Sequence, residues 1–444
     1  MGQHLAATAA PLALSRSAVQ RRSEAMGEPV WALQRRLEAW EAFERLPAPP
    51  VTHPEEWRRT DISGLDLGAL TLPADGPVES PRGFFGPLAR EEAERAGLLT
   101  FLDGRPVVDG ARLGEEAARA GVLFTDLASA VRAEPDLVRD HLFSLAPRDE
   151  HRFRALHAAL HSGGTFLYVP RGVEVALPLV TQAWLGTPAG AVFPHTLVVA
   201  DEGSAVTLVE LFGSYPEGPR ALASGVVELI LRDGAQVRYM LVQEWGAPMW
   251  EVGSLIRARL GRDASLRSLV AVLGGGLVKV DVESHLEGPG ASSEMLGLYF
   301  GADRQHIDVH TLQAHRAPHT TSDLLYRGAV KDAARSVFAG LIRVHHGAQK
   351  TNAFQANRNL ILSEGARADS IPKLEIMAND LRCTHGSATS RLNEEHIFYL
   401  MSRGLTRQQA TFMIVEGFFA DLFDRTPIPR LRGYLQARIA EKMI

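Results

Sequence analysis

The chain has 444 residues, 45% of them apolar and 22% charged, and carries a net charge of −5. That length predicts more than one structural unit with a sizeable core, and the lack of a basic surplus argues against a general nucleic-acid binder. Its single cysteine, Cys383, forbids an internal disulfide, fits a reducing compartment, and rules out a zinc or iron–sulfur site built from this chain's thiolates alone.

The first residues, MGQHLAATAAPLALSRSAVQRR, lack a basic stretch followed by an apolar one. A secretory signal is therefore not expected, and an N-terminal helix or frayed tail is. Residues 29–46 have helical periodicity, with Trp31, Leu33, Leu37, Trp40 and Phe43 on one broad face. The prolines of 47–54 stop that helix. The following EEWRRTDISGLDLGAL reads as irregular, and LLTFLDGRPVVDGARL as a hairpin with Asp-Gly turns at 103–104 and 109–110.

The texture changes near residue 165, where short Val-, Leu- and Thr-rich runs are cut by small-residue turns. The turns recur as EGSAV (202–206), DGAQV (233–237), RDASL (262–266), GPGAS (288–292), KDAARSV (331–337) and EGARA (364–368). Their loose period near thirty, with one long gap of 42, predicts stacked coils of strands rather than a sandwich. The lack of Asn-Gly hairpin turns supports the stack. In QKTNAFQANRNLIL, Gln355, Asn357 and Asn359 alternate. They read either as amides hydrogen-bonding from rung to rung or as a solvated strand face.

Beyond 390 the pattern is helical again. A first helix runs from an Asn393 cap to Gly404 and a second begins at Thr406. The second is apolar on two sides: Phe412, Val415, Phe419 and Leu422 on one, Met413, Ile414 and Phe418 on another. Residues 397–423 hold six aromatics, where the chain's average content of 7% predicts about two. Such a helix is either buried in its own domain or docks a partner. With few residues after it to cover it, Phe412, Val415, Phe418, Phe419 and Leu422 are the candidate docking residues.

No nucleophile elbow, P-loop or dinucleotide fingerprint is present, so the chain is not expected to hydrolyse ATP itself. On a strand, His306, Asp308 and His310 would face one way as a potential metal trio, or stand as a polar surface strand. Cys383 and His385 are two apart, so an extended backbone points both the same way. That suits a thiolate lowered by imidazolium, two metal ligands, or a buried thiol with no role. Two ligands do not complete a site; the rest would come from another chain.

Residues 336–405 carry an ordered string: F-x-G at 338–340, AQKT at 348–351, NRNLILS at 357–363, PKLEI at 372–376, CTHG at 383–386 and FYLMSRG at 398–404. The string resembles the SufB/SufD family, more weakly from about 165 to 425, and EEWRRTD at 55–61 resembles its SufD branch. SATSR after Gly386 is closer to SufB, whereas a single cysteine favours SufD. The resemblance implies a mainly β fold: a right-handed parallel β-helix core at 161–390, a mostly helical region at 1–160, and a helical ATPase-docking region at 391–444. It implies a cytoplasmic, non-catalytic scaffold of iron–sulfur cluster assembly, paired with a SufB-type paralogue and bound to a SufC-type ATPase. His385 and Cys383 would then serve a transient cluster at the paralogue interface, with no cofactor held tightly by this chain alone and no role for nucleic acid or membrane. Whether the chain forms a homodimer when the partner is missing stays open. The rival readings are a stand-alone metal-binding β-protein using His306 and His310, and a β-helix enzyme acting on polysaccharide.

Overall fold

The computed structural model describes residues 14–73, 94–108 and 111–443. In chain order, helices α1 (Arg16–Ala25), α2 (Val30–Arg45), α3 (Pro49–Thr52) and α4 (Pro54–Trp57) come first. Then follow β1 (Gly97–Leu102), β2 (Arg105–Pro106), β3 (Arg112–Leu113), α5 (Glu115–Arg119), β4 (Leu123–Asp126), α6 (Leu127–Ala133), α7 (Pro135–His141) and α8 (Arg152–Leu160). The next strands are β5 (Thr165–Val169), β6 (Leu179–Leu185), β7 (Ala191–Val192), β8 (His195–Ala200), β9 (Ala205–Ser214), β10 (Ala221–Ala223), β11 (Val226–Leu231) and β12 (Gln236–Glu244). The stack continues through β13 (Met249–Leu260), β14 (Ser265–Val272), β15 (Leu277–Leu286), β16 (Ser292–Gly301), β17 (His306–His315) and β18 (Thr321–Val330). It ends with β19 (Arg335–Val344), β20 (Thr351–Ile361), β21 (Arg367–Ile376) and β22 (Leu381–Arg391), before α9 (Glu394–Ser402), α10 (Arg407–Arg425) and α11 (Pro429–Met443).

The strands alternate between two sheets. The first runs β1-β6-β9-β12-β14-β16-β18-β20-β22 and the second β5-β8-β11-β13-β15-β17-β19-β21, parallel throughout. This is the expected β-helix, with about eight turns. Register fixes the true period: Gln236 pairs with Ser265, Ser265 with Ser292, Ser292 with Thr321 and Thr321 with Asn352.

The corners explain the long gap in the turn series. The corners leading into β9, β12, β14, β16, β18 and β20 each place one residue in the left-handed region: Gly203, Gly234, Asp263, Gly290, His319 and Lys350. His319 and Lys350 hold that conformation without being Gly or Asp, so a search for small turn residues misses them. The motifs at 331–337 and 364–368 belong to the opposite edge, with Asp332 left-handed there. The stack also begins earlier than residue 161. β1 pairs parallel with β6, and β4 antiparallel with β5, so residues 97–126 already extend both sheets. Asp103 and Gly104, at φ 56 and 75, close the expected hairpin between β1 and β2; the second Asp-Gly pair lies outside the described residues.

β8 and β11 are buried on both faces, which is why they read as nearly unbroken apolar runs, whereas β15 and β17 alternate buried with half-buried residues. Between the sheets lie Val237, Tyr239, Leu266, Val280, Met295 and Val309. α2 and α8 belong to the helical layer before the stack, with Trp40, Phe43 and Phe153 in one buried cluster. The face of α2 differs from the expected one. Arg36 is buried, paired with Glu28 (2.7 Å) and bonded to the carbonyls of Ala159 and His161, while Trp31 and Leu37 are only partly buried. The prolines after it start two single-turn helices, α3 and α4, each with Pro in its first turn.

Candidate functional site

The last rung is where the chemistry-bearing residues meet the surface. β21 pairs only with β19 and β22 only with β20, so each leaves an edge that no strand among the described residues covers. Pro372, which lacks an N–H, is tolerated in β21 because that strand has a free edge.

β22 places Cys383 in register with Ala353 and His385 with Gln355. Both therefore point to the inner side of the solenoid end, as the two-residue spacing predicts. Cys383 packs against the cluster of Ile342, Val344, Ala348, Ala353 and Ala378 and is half-buried, while His385 is exposed. Burial pushes the Cys383 thiol up from its ordinary range. The wall around Cys383 is aliphatic and favours the neutral thiol, which weighs against a thiolate lowered by imidazolium.

Beneath this rung the interior turns from aliphatic to polar. Gln355, Asn357 and Asn359 are buried rather than solvated. Asn357 Nδ2 donates to the Tyr299 hydroxyl (3.1 Å) and Asn359 Nδ2 to Asn357 Oδ1 (2.8 Å), while the Tyr299 hydroxyl donates to Asn359 Oδ1. Amides bonding across rungs is therefore the correct alternative. Tyr299 lies over Gly328 and Tyr326 over Gly297, where a Cβ would stand 1.8 and 2.0 Å from the rings. His315 bonds Thr320 and Ser322, both at 2.8 Å, and Gln313 donates to Ser322.

His306, Asp308 and His310 do share the outer face of β17, but under a strap of N-terminal chain. The Thr60 hydroxyl donates to Asp308 and lies 3.0 Å from His306 Nε2. Lys279 Nζ stands 3.1 Å from both Asp308 and His310, and its charge holds the Asp308 carboxyl far below the usual range against the cost of burial. A lysine ammonium thus occupies the cation position, and among the described residues no three His, Cys, Asp or Glu side chains form a metal cluster.

The docking residues need correction. Val415, Phe419 and Leu422 are fully buried, and Phe412 and Phe418 half-buried. Val415, Phe418, Phe419 and Leu422 pack in one cluster with Leu296, Leu298 and Phe300 of the first sheet, joined by Leu431, Leu435 and Ile439 of α11. The assigned face is an internal one, because α10 and the overlooked α11 cover the outer face of that sheet. Arg425 clamps α10 to Glu294 (2.5 Å) and Asp323 (2.6 Å), and Arg327 reaches Asp421 (2.7 Å) and the Phe418 carbonyl. The apolar groups left exposed are Phe398, at 74%, Tyr399 and Met401 on α9, and Met413 on α10. The signal was present in FYLMSRG, where Phe398 and Tyr399 are adjacent and cannot both face inward from one helix.

Fold and last rung together define a parallel β-solenoid with an open end that presents a thiol and an imidazole. Residues 183–418 match the model for the SUF system FeS cluster assembly SufBD core domain, and residues 108–180 match the SufBD protein N-terminal region. The iron-sulfur cluster assembly protein SufD of Bacillus subtilis (strain 168) is 31% identical over 95% of this chain and 96% of its own. The SufB protein of the same strain is 28% identical over 94% and 90%. A SufBD family protein of Staphylococcus epidermidis (strain ATCC 12228 / FDA PCI 1200) matches to the same extent as that SufB. The chain belongs to the SufB/SufD family of iron–sulfur cluster assembly proteins, and of these relatives it is more similar to SufD. Among the described residues no helix is long and apolar enough to cross a membrane.

Proposed function

We propose that this chain is a non-catalytic, cytoplasmic scaffold subunit whose open solenoid end pairs with a SufB-type paralogue. The observation that carries the reading is the coincidence of Cys383, His385 and two uncovered strand edges in one rung. Exposed edges invite pairing and need a cover, and a paralogous solenoid supplies one of matching geometry. An isolated chain would meet a second copy through the same end.

The iron–sulfur cluster is cargo in this reading. Cys383 and His385 supply two donors of suitable softness, iron displaces the thiol proton, and the paralogue supplies the remaining ligands. The site is half-open in the single chain, so pairing is what buries it. A SufC-type ATPase docks on Phe398, Tyr399, Met401 and Met413. Its movements reach the core through α10, because Arg425 and Arg327 tie that helix to β16 and β18.

The test is His385→Ala in the complex with paralogue and ATPase. The reading expects unchanged complex assembly and loss of cluster formation. Loss of assembly makes His385 structural, and undiminished cluster formation removes it from the site.

A further inference from the structure

Gln355 lies one strand below His385, in register with it and on the same inner side of the solenoid. Neighbouring strands are about 4.8 Å apart, so the amide lies within reach of the imidazole. Gln355 is only 1% exposed. Its Nε2 donates to the Gly340 carbonyl at 3.4 Å. A carbonyl can only accept, which fixes the NH2 end there and leaves Oε1 as the free end. Oε1 is buried and meets no protein donor.

The backbone accommodates this amide. A Cβ at position 340 would stand 2.4–2.6 Å from all three Gln355 amide atoms, so glycine leaves the space the side chain fills. Glycine weakens a strand interior, and here it seats a buried acceptor whose stacked neighbour, His385, carries donors.

We infer that Gln355 is the positioning residue for His385: by turning inward about its own side-chain torsions from its exposed position, the imidazole brings one N–H to the unpartnered Oε1, and the other nitrogen then presents its lone pair out of the solenoid end. A histidine that serves as metal ligand or base needs one tautomer, and the partner of its second nitrogen selects it. The inference rests on the role proposed above for His385.

The experiment is two-bond 1H–15N correlation spectroscopy on the full-length isolated chain labelled with 15N-histidine, His385 being assigned from the signal lost in His385→Ala. The wild-type chain is expected to hold one His385 tautomer about fivefold over the other, the bias of one ordinary hydrogen bond. Gln355→Met keeps length and removes the acceptor, so the bias should disappear. Gln355→Glu keeps an oxygen in place and should restore it. A merely structural Gln355 would lower the melting temperature of the Met variant and leave the His385 tautomer unmoved. An unchanged tautomer in the folded Met variant overturns the inference, as does loss of the bias in a folded Glu variant. Should Gln355→Met fail to fold, the Glu variant decides alone. No cluster takes part in this measurement, so its failure would leave the assembly test of His385→Ala to judge the scaffold reading separately.

Discussion

Phe419→Ala separates an internal helix from a docking helix. Phe419 is fully buried, with its ring edge-on to Phe418 at 5.0 Å and tilted against Phe423 at 6.1 Å. It belongs to the cluster that joins α10 and α11 to the outer face of the first sheet. Truncating a buried phenylalanine costs about 3–5 kcal/mol, transfer and cavity together. That is a large share of the roughly 5–15 kcal/mol that holds a domain folded. A solenoid opens piecewise, so hydrogen exchange resolves the effect better than a single melting temperature. Amides of α10 and α11 should exchange roughly two to four orders of magnitude faster, tenfold per about 1.4 kcal/mol, while the far rungs stay protected. Phe398→Ala, at a mostly exposed position, should change stability by less than about 0.5 kcal/mol and still weaken binding of the SufC-type ATPase. The reasoning fails if Phe419→Ala leaves exchange unchanged and abolishes ATPase binding, because α10 would then not be seated on the sheet.

Three further outcomes follow from the same packing. Burial holds the imidazoles of His151, His157 and His161 below their ordinary pKa of 6.5, whereas in the unfolded chain they titrate near it. The unfolded state therefore takes up protons first on acidification: stability is complete above about pH 7 and falls below about pH 6.5, by up to about 1.4 kcal/mol per pH unit for each histidine. A melting temperature flat from pH 7.5 to 5 would contradict this. Gly328→Ala drives a methyl into the Tyr299 ring and should cost about 1–3 kcal/mol by overpacking, measured by urea denaturation; a neutral effect would mean that the polar interior is loose. Double replacement of Phe398 and Tyr399 by Ser should abolish capture of the ATPase from purified components with the chain still folded, and retained capture would place the docking surface elsewhere.

Much of the fold was legible because the corners repeat and because strands such as β8 and β11 bury both faces. Where a corner uses Gly203, Gly234 or Gly290, the turn shows in the sequence; where tertiary packing forces His319 or Lys350 into the left-handed region, it does not. The same two-sided burial hid the role of α10. A helix apolar on two sides reads as exposed when nothing after it is recognised, yet Leu431, Leu435 and Ile439 of α11 complete its cover. The early strands β1 and β4 were obscured by the helices around them. The rung position of Cys383 and His385 was readable from spacing alone. Their environment was not, because the aliphatic wall around Cys383 comes largely from β19 and the amide under His385 from β20, three and two strands earlier in the chain.

Cys383 is the only cysteine of the chain, so its alkylation reports the solenoid end without ambiguity. The rate should be measured on dilute isolated chain and on chain saturated with its SufB-type paralogue, at a pH high enough to populate the thiolate. The account predicts steady labelling of the half-buried thiol in the isolated chain and strong protection in the complex. Equal labelling in a complex shown to have formed would contradict the central claim that the paralogue covers the rung bearing Cys383 and His385.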